Sequence, residues 1–125
     1  MRYSLISLFL ALGVTGCGSK PLPMAATPDS SRATLVATLD GWKAGKTSKE
    51  FAAASPPVLF IDDDLNRGNK LLDYTVEGEP RQNGTGYSYV VALTIEDKAG
   101  TKRAPTKVAY TVVTEPKHAV TREER

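Results

Sequence analysis

The pattern of apolar and polar positions divides the chain into a helix-forming first part and a strand-forming second part. From Ser31 onward, large apolar side chains recur at positions i, i+1, i+4 and i+7, namely Leu35, Val36, Leu39 and Trp42. Residues at this spacing lie on one face of an α-helix. The pattern therefore predicts an amphipathic helix that begins at Ser31 and ends near Gly45.

A second, shorter helix is predicted directly after the first. Thr47 and Glu50 have the spacing of a capping box, and Pro56 and Pro57 stop the helix that would follow. The next four residues, VLFI at 58–61, form an apolar run that predicts a buried strand.

Alternation with a period of two dominates the rest of the chain. The clearest strand is YSYVVALTIE, with these apolar residues on one face: Tyr87, Tyr89, Val91, Leu93 and Ile95. Residues 72–76 also alternate, and residues 78–86 are typical of a loop. The sequence DKAG at 97–100 predicts a short hairpin loop before a strand from about Thr106 to Thr114. Residues 118–123 predict a last edge strand.

This order of elements predicts the α+β class, with one long and one short N-terminal helix packed on a three- to four-stranded antiparallel sheet. Residues 31–125 form the single small domain. We expect the helix face that carries Trp42 to meet the sheet face that carries Tyr89. There, Trp42, Tyr89 and Tyr110 form either a packed core or the lining of a small-ligand pocket.

The N-terminus has the layout of an export signal. Arg2 precedes an apolar run from Leu5 to Val14, and this run is about half the length that a membrane-spanning helix needs. The sequence VTGC at 14–17 then resembles the lipobox of bacterial lipoproteins. This resemblance implies cleavage of residues 1–16, lipidation and acylation at Cys17, and anchoring in the membrane of the cell envelope.

Residues 17–30 then comprise the lipidated cysteine and a flexible tether that is rich in Pro, Ser and Ala. In many lipoproteins an aspartate after the cysteine signals retention in the inner membrane, and this chain has Gly18 there. The resemblance thus favours the periplasmic side of an outer membrane.

Two further resemblances concern the domain. The run LDGWKAGKTSKEFAAASPPVLF and the following RGNKLLDY are similar to a group of short uncharacterised bacterial lipoproteins. The order of elements resembles cystatin-like and nuclear-transport-factor-2-like folds, in which leading helices pack on a curved antiparallel sheet. The first resemblance implies a shared domain without an assigned activity, and the second implies only a fold.

Composition argues against a nucleic-acid partner and against a disulfide within the chain. The chain has 16 Lys and Arg against 14 Asp and Glu, for a net charge of +2, and the two signs are interspersed. Such a chain presents no basic field for a phosphate backbone, so we expect no nucleic-acid partner. Because Cys17 is the single cysteine, no disulfide can form within the chain.

One acidic cluster has the spacing of a calcium-binding loop. Counted from Asp62, positions 1, 3, 5 and 12 hold oxygen donors, namely Asp62, Asp64, Asn66 and Asp73. Position 6, where such a loop needs glycine, is Arg67. The alternative is that one aspartate caps a short helical turn and that the others face the solvent.

No set of residues has the spacing of a catalytic site. His118 is the single histidine, and no nucleophile or carboxylate is placed by spacing to act with it. We therefore expect no cofactor and favour a non-enzymatic, lipid-anchored domain that binds another envelope protein through a sheet edge or the outer sheet face. The alternatives are a ligand-binding or enzymatic domain with a pocket between helix and sheet, and a structural envelope component.

Overall fold

The computed structural model describes residues 27–123, which form three helices and one five-stranded sheet. The helices are α1 (Pro28–Lys43), α2 (Ser48–Ala53) and α3 (Asp63–Asn66). The strands are β1 (Val58–Ile61), β2 (Lys70–Asn83), β3 (Gly86–Glu96), β4 (Thr106–Val113) and β5 (His118–Arg122). The predicted signal peptide, the lipobox with Cys17 and most of the tether lie outside the described residues.

Helix α1 is the long helix that the apolar spacing predicts, but it begins three residues earlier, at Pro28. The backbone N–H of Ser30 donates to the Thr27 hydroxyl, and the backbone N–H of Thr27 donates to the Ser30 hydroxyl, both at 3.0 Å. This reciprocal cap satisfies two N–H groups that would otherwise lack partners at the helix start. Residues 28–30, which the prediction placed in the tether, are therefore helical.

The two short helices are both capped by side chains. Thr47 caps α2 as predicted, with its hydroxyl accepting from the backbone N–H of Glu50. Helix α3 is one turn that the sequence pattern did not resolve, and Asp62 caps it by accepting from the N–H groups of Asp64 and Leu65. An aspartate cap on a short turn is the alternative that the acidic cluster allowed.

The α+β class is confirmed, but the predicted three- to four-stranded antiparallel sheet is wrong. The strand order is β1-β5-β4-β3-β2, and β1 runs parallel to β5 while all other neighbours are antiparallel. Strand β5, predicted at an edge, instead lies between β1 and β4. Strand β1 directly follows the helices in sequence, yet it pairs with β5, the last strand of the chain. No local sequence pattern encodes a pairing between segments so far apart.

Strands β2 and β3 form a longer hairpin than predicted. Residues 78–83 belong to β2, so the loop expected at 78–86 shrinks to the two residues between Asn83 and Gly86, which face each other. Gly84 has a positive φ of 61°, as such tight turns require. The loop predicted at 97–100 lies within the β3–β4 connection, which spans 97–105 and contains an isolated bridge between Glu96 and Lys102.

Helices α1 and α2 pack on one face of the sheet and form the core with it. Phe60 of β1 lies at the centre of an aromatic group. Its ring centroid is 5.8 Å from that of Trp42, 5.4 Å from that of Phe51 and 6.0 Å from that of Tyr110. These contacts join both helices to β1 and β4. No helix of residues 27–123 has the length and apolar character needed to cross a bilayer.

Candidate functional site

The two edges of the sheet are built differently. Strand β2 forms one edge, and its 14 residues contain charged side chains, Pro80 and two interruptions of the pairing register. Charges, proline and bulges are the devices by which natural sheets prevent edge-to-edge association. This edge is therefore protected against added strands.

Strand β1 forms the other edge, and its four residues contain no charge, no proline and no register shift. Its four residues, VLFI, are uncharged, and β5 is its only strand partner in the described part of the chain. In a parallel pair, about half of the backbone N–H and C=O groups of an edge strand point away from the sheet. The β1 edge can therefore accept an additional strand.

Strand β1 also carries the two large apolar side chains that are most exposed among the described residues. Leu59 is 59% exposed and Ile61 is 45% exposed, whereas Phe60 between them is buried at 3%. The sequence predicted a buried strand here, and that prediction is wrong for two of its residues. Two features together explain this exposure: Leu59 and Ile61 point to the sheet face that α1 and α2 leave uncovered, and β1 has a strand neighbour on one side only.

A pocket of about 510 Å³ lies at the end of β1, bounded by α3, the start of β4 and the end of β5. Eight charged residues line it, and four of these form ion pairs with one another: Asp62, Asp64, Arg103 and Arg122. Residues so far apart in sequence meet here because the C-terminal ends of the parallel strands β1 and β5 lie beside the N-terminal end of β4.

Asp62 lines this pocket and is only 1% exposed, and its carboxylate accepts several hydrogen bonds. Beside the two backbone N–H groups of α3, the hydroxyl of Tyr110 donates to Oδ2, and Nη1 of Arg122 lies 3.4 Å from Oδ1. Burial and the neighbouring Asp62 carboxylate both raise the pKa of Tyr110 above its ordinary range. Tyr110 therefore stays protonated and keeps donating.

Asp64 bridges two guanidinium groups. Its Oδ1 accepts from Nδ2 of Asn69 at 2.8 Å and from Nη1 of Arg103 at 2.9 Å, and its Oδ2 accepts from Nη1 of Arg122 at 2.6 Å. Burial alone would raise the pKa of Asp64, but the hydrogen bonds from the arginines and Asn69 outweigh burial and hold that pKa below its ordinary value. Burial also opposes the charge on Arg122, yet contact with the two aspartates raises its pKa.

This arrangement limits the chemistry of the pocket. The pKa of Asp64 is held below its ordinary value, so Asp64 is not poised to take or give a proton near neutral pH. Each arginine uses one nitrogen, Nη1, on the aspartates, and the guanidinium group has further donors. These remaining donors can therefore bind an anionic group at the pocket.

The structure brings together only part of the predicted calcium loop. Asp62 and Asp64 lie side by side, but Asn66 is exposed. The Asp73 side chain is 71% exposed on another part of the surface, where its Oδ1 lies 3.6 Å from Nζ of Lys43. Within residues 27–123, no three or more His, Cys, Asp or Glu side chains are grouped to hold a metal ion. The alternative, that the aspartates beside the cap face the solvent, holds for Asp63 but fails for Asp64, which is buried.

Trp42, Tyr89 and Tyr110 are packed inside the core and are at most 3% exposed. Their polar atoms have protein partners. The Trp42 indole donates to the carbonyl of Asn69 at 3.0 Å, and the Tyr89 hydroxyl donates to the carbonyl of Pro28 at 2.8 Å. None of the three lines the end pocket or the second, smaller pocket.

The second pocket is a mainly apolar groove of about 330 Å³ between α1, α2 and the start of β1. His118 lies at its rim, where β5 begins, and Lys46 lines the same groove. No carboxylate lines this groove, so His118 has no acidic partner there to orient its ring.

The residues that sequence reasoning missed are of two kinds. Leu59 and Ile61 were assigned to a buried strand, and their exposure follows from the uncovered sheet face and the edge position of β1 together. Arg103 and Arg122 are separated from Asp64 by 39 and 58 positions, so no motif spacing could have joined them to the acidic cluster.

No protein-family model, curated protein or solved structure matches this chain. The resemblances drawn from the sequence therefore stay expectations.

Proposed function

We propose that this protein is a lipid-anchored component of the bacterial cell envelope whose domain binds another protein chain, without catalysis, through the edge strand β1. The observation that carries the proposal is the contrast between the two edges. Strand β2 is protected by charges, Pro80 and register shifts, while β1 presents an uncharged edge with Leu59 and Ile61 exposed.

The physical basis is strand addition to a sheet. An extended segment that adds to β1 would satisfy the outward-pointing backbone groups and cover the two apolar side chains. Backbone hydrogen bonds supply affinity in this mode, and alternate side chains supply specificity. Leu59 and Ile61 lie two residues apart and share the outer face. Alternate side chains of an added strand would point to that same face and could contact both of them.

The anchor supports the same role. Cys17 would hold the domain in the membrane, and the short tether would keep it near the membrane surface. From the residue after the cysteine we infer the periplasmic side of an outer membrane. A domain held there meets partners at a high local concentration, so that a modest edge contact suffices.

The test is cross-linking in intact cells with the full-length protein. We expect a discrete cross-linked species with the parent chain, and its loss with Ile61→Lys, because a charge on the edge opposes strand addition. Thr75→Lys is the matched control, since Thr75 is exposed on the opposite edge strand β2. Equal cross-linking by all three proteins would contradict the proposal.

A second candidate function is the binding of a small ligand, and the end pocket favours it. Arg103 is 42% exposed and Arg122 is 24% exposed, and both line the pocket with guanidinium donors beyond those that contact the aspartates. A ligand with a carboxylate or phosphate group would suit these donors.

A thermal-shift titration with inorganic phosphate and with succinate tests this candidate. Stabilisation by either anion should be lost in Arg103→Gln and kept in Arg81→Gln, because Arg81 lies on β2 away from the pocket. An identical response of the two variants would rule the pocket out as the binding site.

A further inference from the structure

We propose that the occupant of the β1 edge is a second copy of this chain, paired antiparallel so that two sheets join into one. This inference rests on the proposed function, because it names the partner at the same edge. It makes the assembly a two-fold symmetric dimer, in which identical surfaces meet.

The register of such a pairing follows from the faces of β1. Opposed residues in an antiparallel pair point to the same side of the sheet, so outward-pointing Leu59 must face an outward-pointing residue of the other copy. A pairing centred on Phe60 places Leu59 opposite Ile61 of the second copy, and Ile61 opposite Leu59. A pairing centred on Leu59 would instead leave Ile61 opposite Pro57.

The pairing centred on Phe60 therefore covers both exposed apolar side chains of both copies at once. On the helix face, the two Phe60 side chains lie opposite each other, next to the aromatic group formed with Trp42 and Phe51. Pairing of β1 with β1 of a second copy would thus satisfy the open backbone groups of the edge and cover the exposed Leu59 and Ile61 side chains.

Charge does not oppose this self-pairing. Strand β1 has no charged residue, and the first carboxylate after it, Asp62, is turned inward onto Tyr110 and α3. In the register centred on Phe60, Asp62 lies opposite Val58 and Asp63 lies opposite Pro57. No like charges are therefore opposed, whereas antiparallel self-pairing of β2 centred on Glu77 or on Glu79 would place like charges opposite each other.

The area that β1 offers is small for a dimer in solution. Stable interfaces bury about 1,200–2,000 Å² in total, and a four-residue strand supplies only part of that. Two copies anchored in the same membrane are confined near each other, which raises their effective concentration. The dimer is accordingly a membrane-bound species, and the Cys17→Ser protein should show much less of it.

The experiment is site-specific photocross-linking of the full-length protein in intact cells. The photoreactive residue replaces Leu59, and two differently tagged copies are expressed together. We expect a product that has twice the mass of the chain and contains both tags. The same photoreactive residue at Thr75 is the control and should give no such product.

The outcomes separate this inference from the function on which it rests. A product with a different protein at position 59 would overturn the second-copy inference and leave the proposed function standing. The absence of any product at position 59 would overturn both.

A cysteine pair then tests the register. Residues directly opposite in an antiparallel pair fall within disulfide range, while diagonal neighbours are farther apart. A mixture of Leu59→Cys and Ile61→Cys copies should form mixed disulfides several-fold more readily than Leu59→Cys copies alone. The parent chain, with its native Cys17, reports any background. Equal yields in the mixture and in Leu59→Cys alone would overturn the register centred on Phe60.

Discussion

At the scale of single residues, the most consequential group is the buried polar network beneath the end pocket. Two aspartates, two arginines, Tyr110 and Asn69 satisfy one another where α3, β1, β4 and β5 converge. A buried charge is tolerated only when it is paired and hydrogen-bonded, and removal of one partner leaves the others uncompensated. Single substitutions in this network should therefore have effects larger than those of ordinary surface changes.

Tyr110→Phe should destabilise the domain by about 1–3 kcal/mol, because it removes the hydroxyl that donates to the buried Asp62 carboxylate and adds no cavity. Urea unfolding at pH 7 measures the effect. Tyr87→Phe, a half-buried tyrosine on the same sheet face, is the matched control and should change stability much less. Similar losses in the two variants would show that the Asp62 contact contributes little.

Asp64 should make stability depend on pH in the acid range. Its pKa in the folded protein lies below the ordinary value of 3.8, so the folded state binds a proton less readily than the unfolded state. The stabilisation is fully present above about pH 4 and is lost as the pH falls through the lowered folded-state pKa.

Urea unfolding gives the free energy of unfolding of the parent and of Asp64→Asn at pH 7 and at a series of pH values below 4. The difference between the two proteins should be largest at pH 7 and should decrease as the pH falls. The variant is its own control for all other carboxylates, which titrate in both proteins. A difference that stays constant with pH would contradict the role assigned to the Asp64 charge.

At the scale of elements, α1 is held on the sheet by packing and by hydrogen bonds at several points. Leu35, Leu39 and Trp42 are buried against it, and the Tyr74 hydroxyl of β2 donates to Asp40 at 2.7 Å. Burial and this contact with Asp40 raise the pKa of Tyr74 to about 12. Tyr74 therefore stays neutral and keeps donating throughout the physiological range.

Trp42→Ala should cost about 3–5 kcal/mol of stability, because it removes the indole that packs on Phe60 and donates to Asn69. Chemical unfolding of the two proteins measures the loss. Val36→Ala, a partly exposed position on the same helix, should cost clearly less. An unchanged midpoint for Trp42→Ala would refute the packing of this helix on β1.

The strands show which features of the sheet local sequence patterns predict and which they do not. Alternation located β3 and β4 to within a few residues, and the apolar run located β1. The same patterns misplaced β5 at an edge and assigned much of β2 to a loop. Alternation reports which residues share a face, whereas the order of strands depends on pairings between residues that are distant in sequence.

At the scale of the whole molecule, the domain presents one face covered by helices, one open face and one unprotected edge. The proposed anchor at Cys17 lies outside the described residues, ten positions before Thr27. The proposed lipid anchor would hold the edge strand β1 close to a membrane, where other anchored copies of the chain would be nearby. Anchoring in the membrane would then raise the effective concentration of the partner at the β1 edge.

Cys17→Ser should move the protein from the membrane fraction to the soluble fraction, because lipid attachment requires the thiol and two or more acyl chains are needed for stable anchoring. Fractionation of cells that express the parent and the variant measures the shift. Thr15→Ser, which keeps a small residue in the lipobox, is the control and should stay in the membrane. A Cys17→Ser protein that remains there would contradict the anchor.

The sequence by itself determined the features that depend on near neighbours along the chain. These are the helix face of Leu35, Leu39 and Trp42, the cap at Thr47, the strand faces of β3 and β4, and the α+β class. Each arises from contacts within a few residues or from a repeating period, which a linear pattern records directly.

Only the tertiary structure decided which parts are exposed and which side chains meet. It placed β1 at an edge beside β5, with Leu59 and Ile61 on the sheet face that α1 and α2 leave uncovered, and it joined Arg103 and Arg122 to Asp64. The physical reason is that strand neighbours and buried ion pairs form between segments brought together by the collapse of the whole core. Their partners are therefore set by the global packing of the chain, which no local spacing specifies.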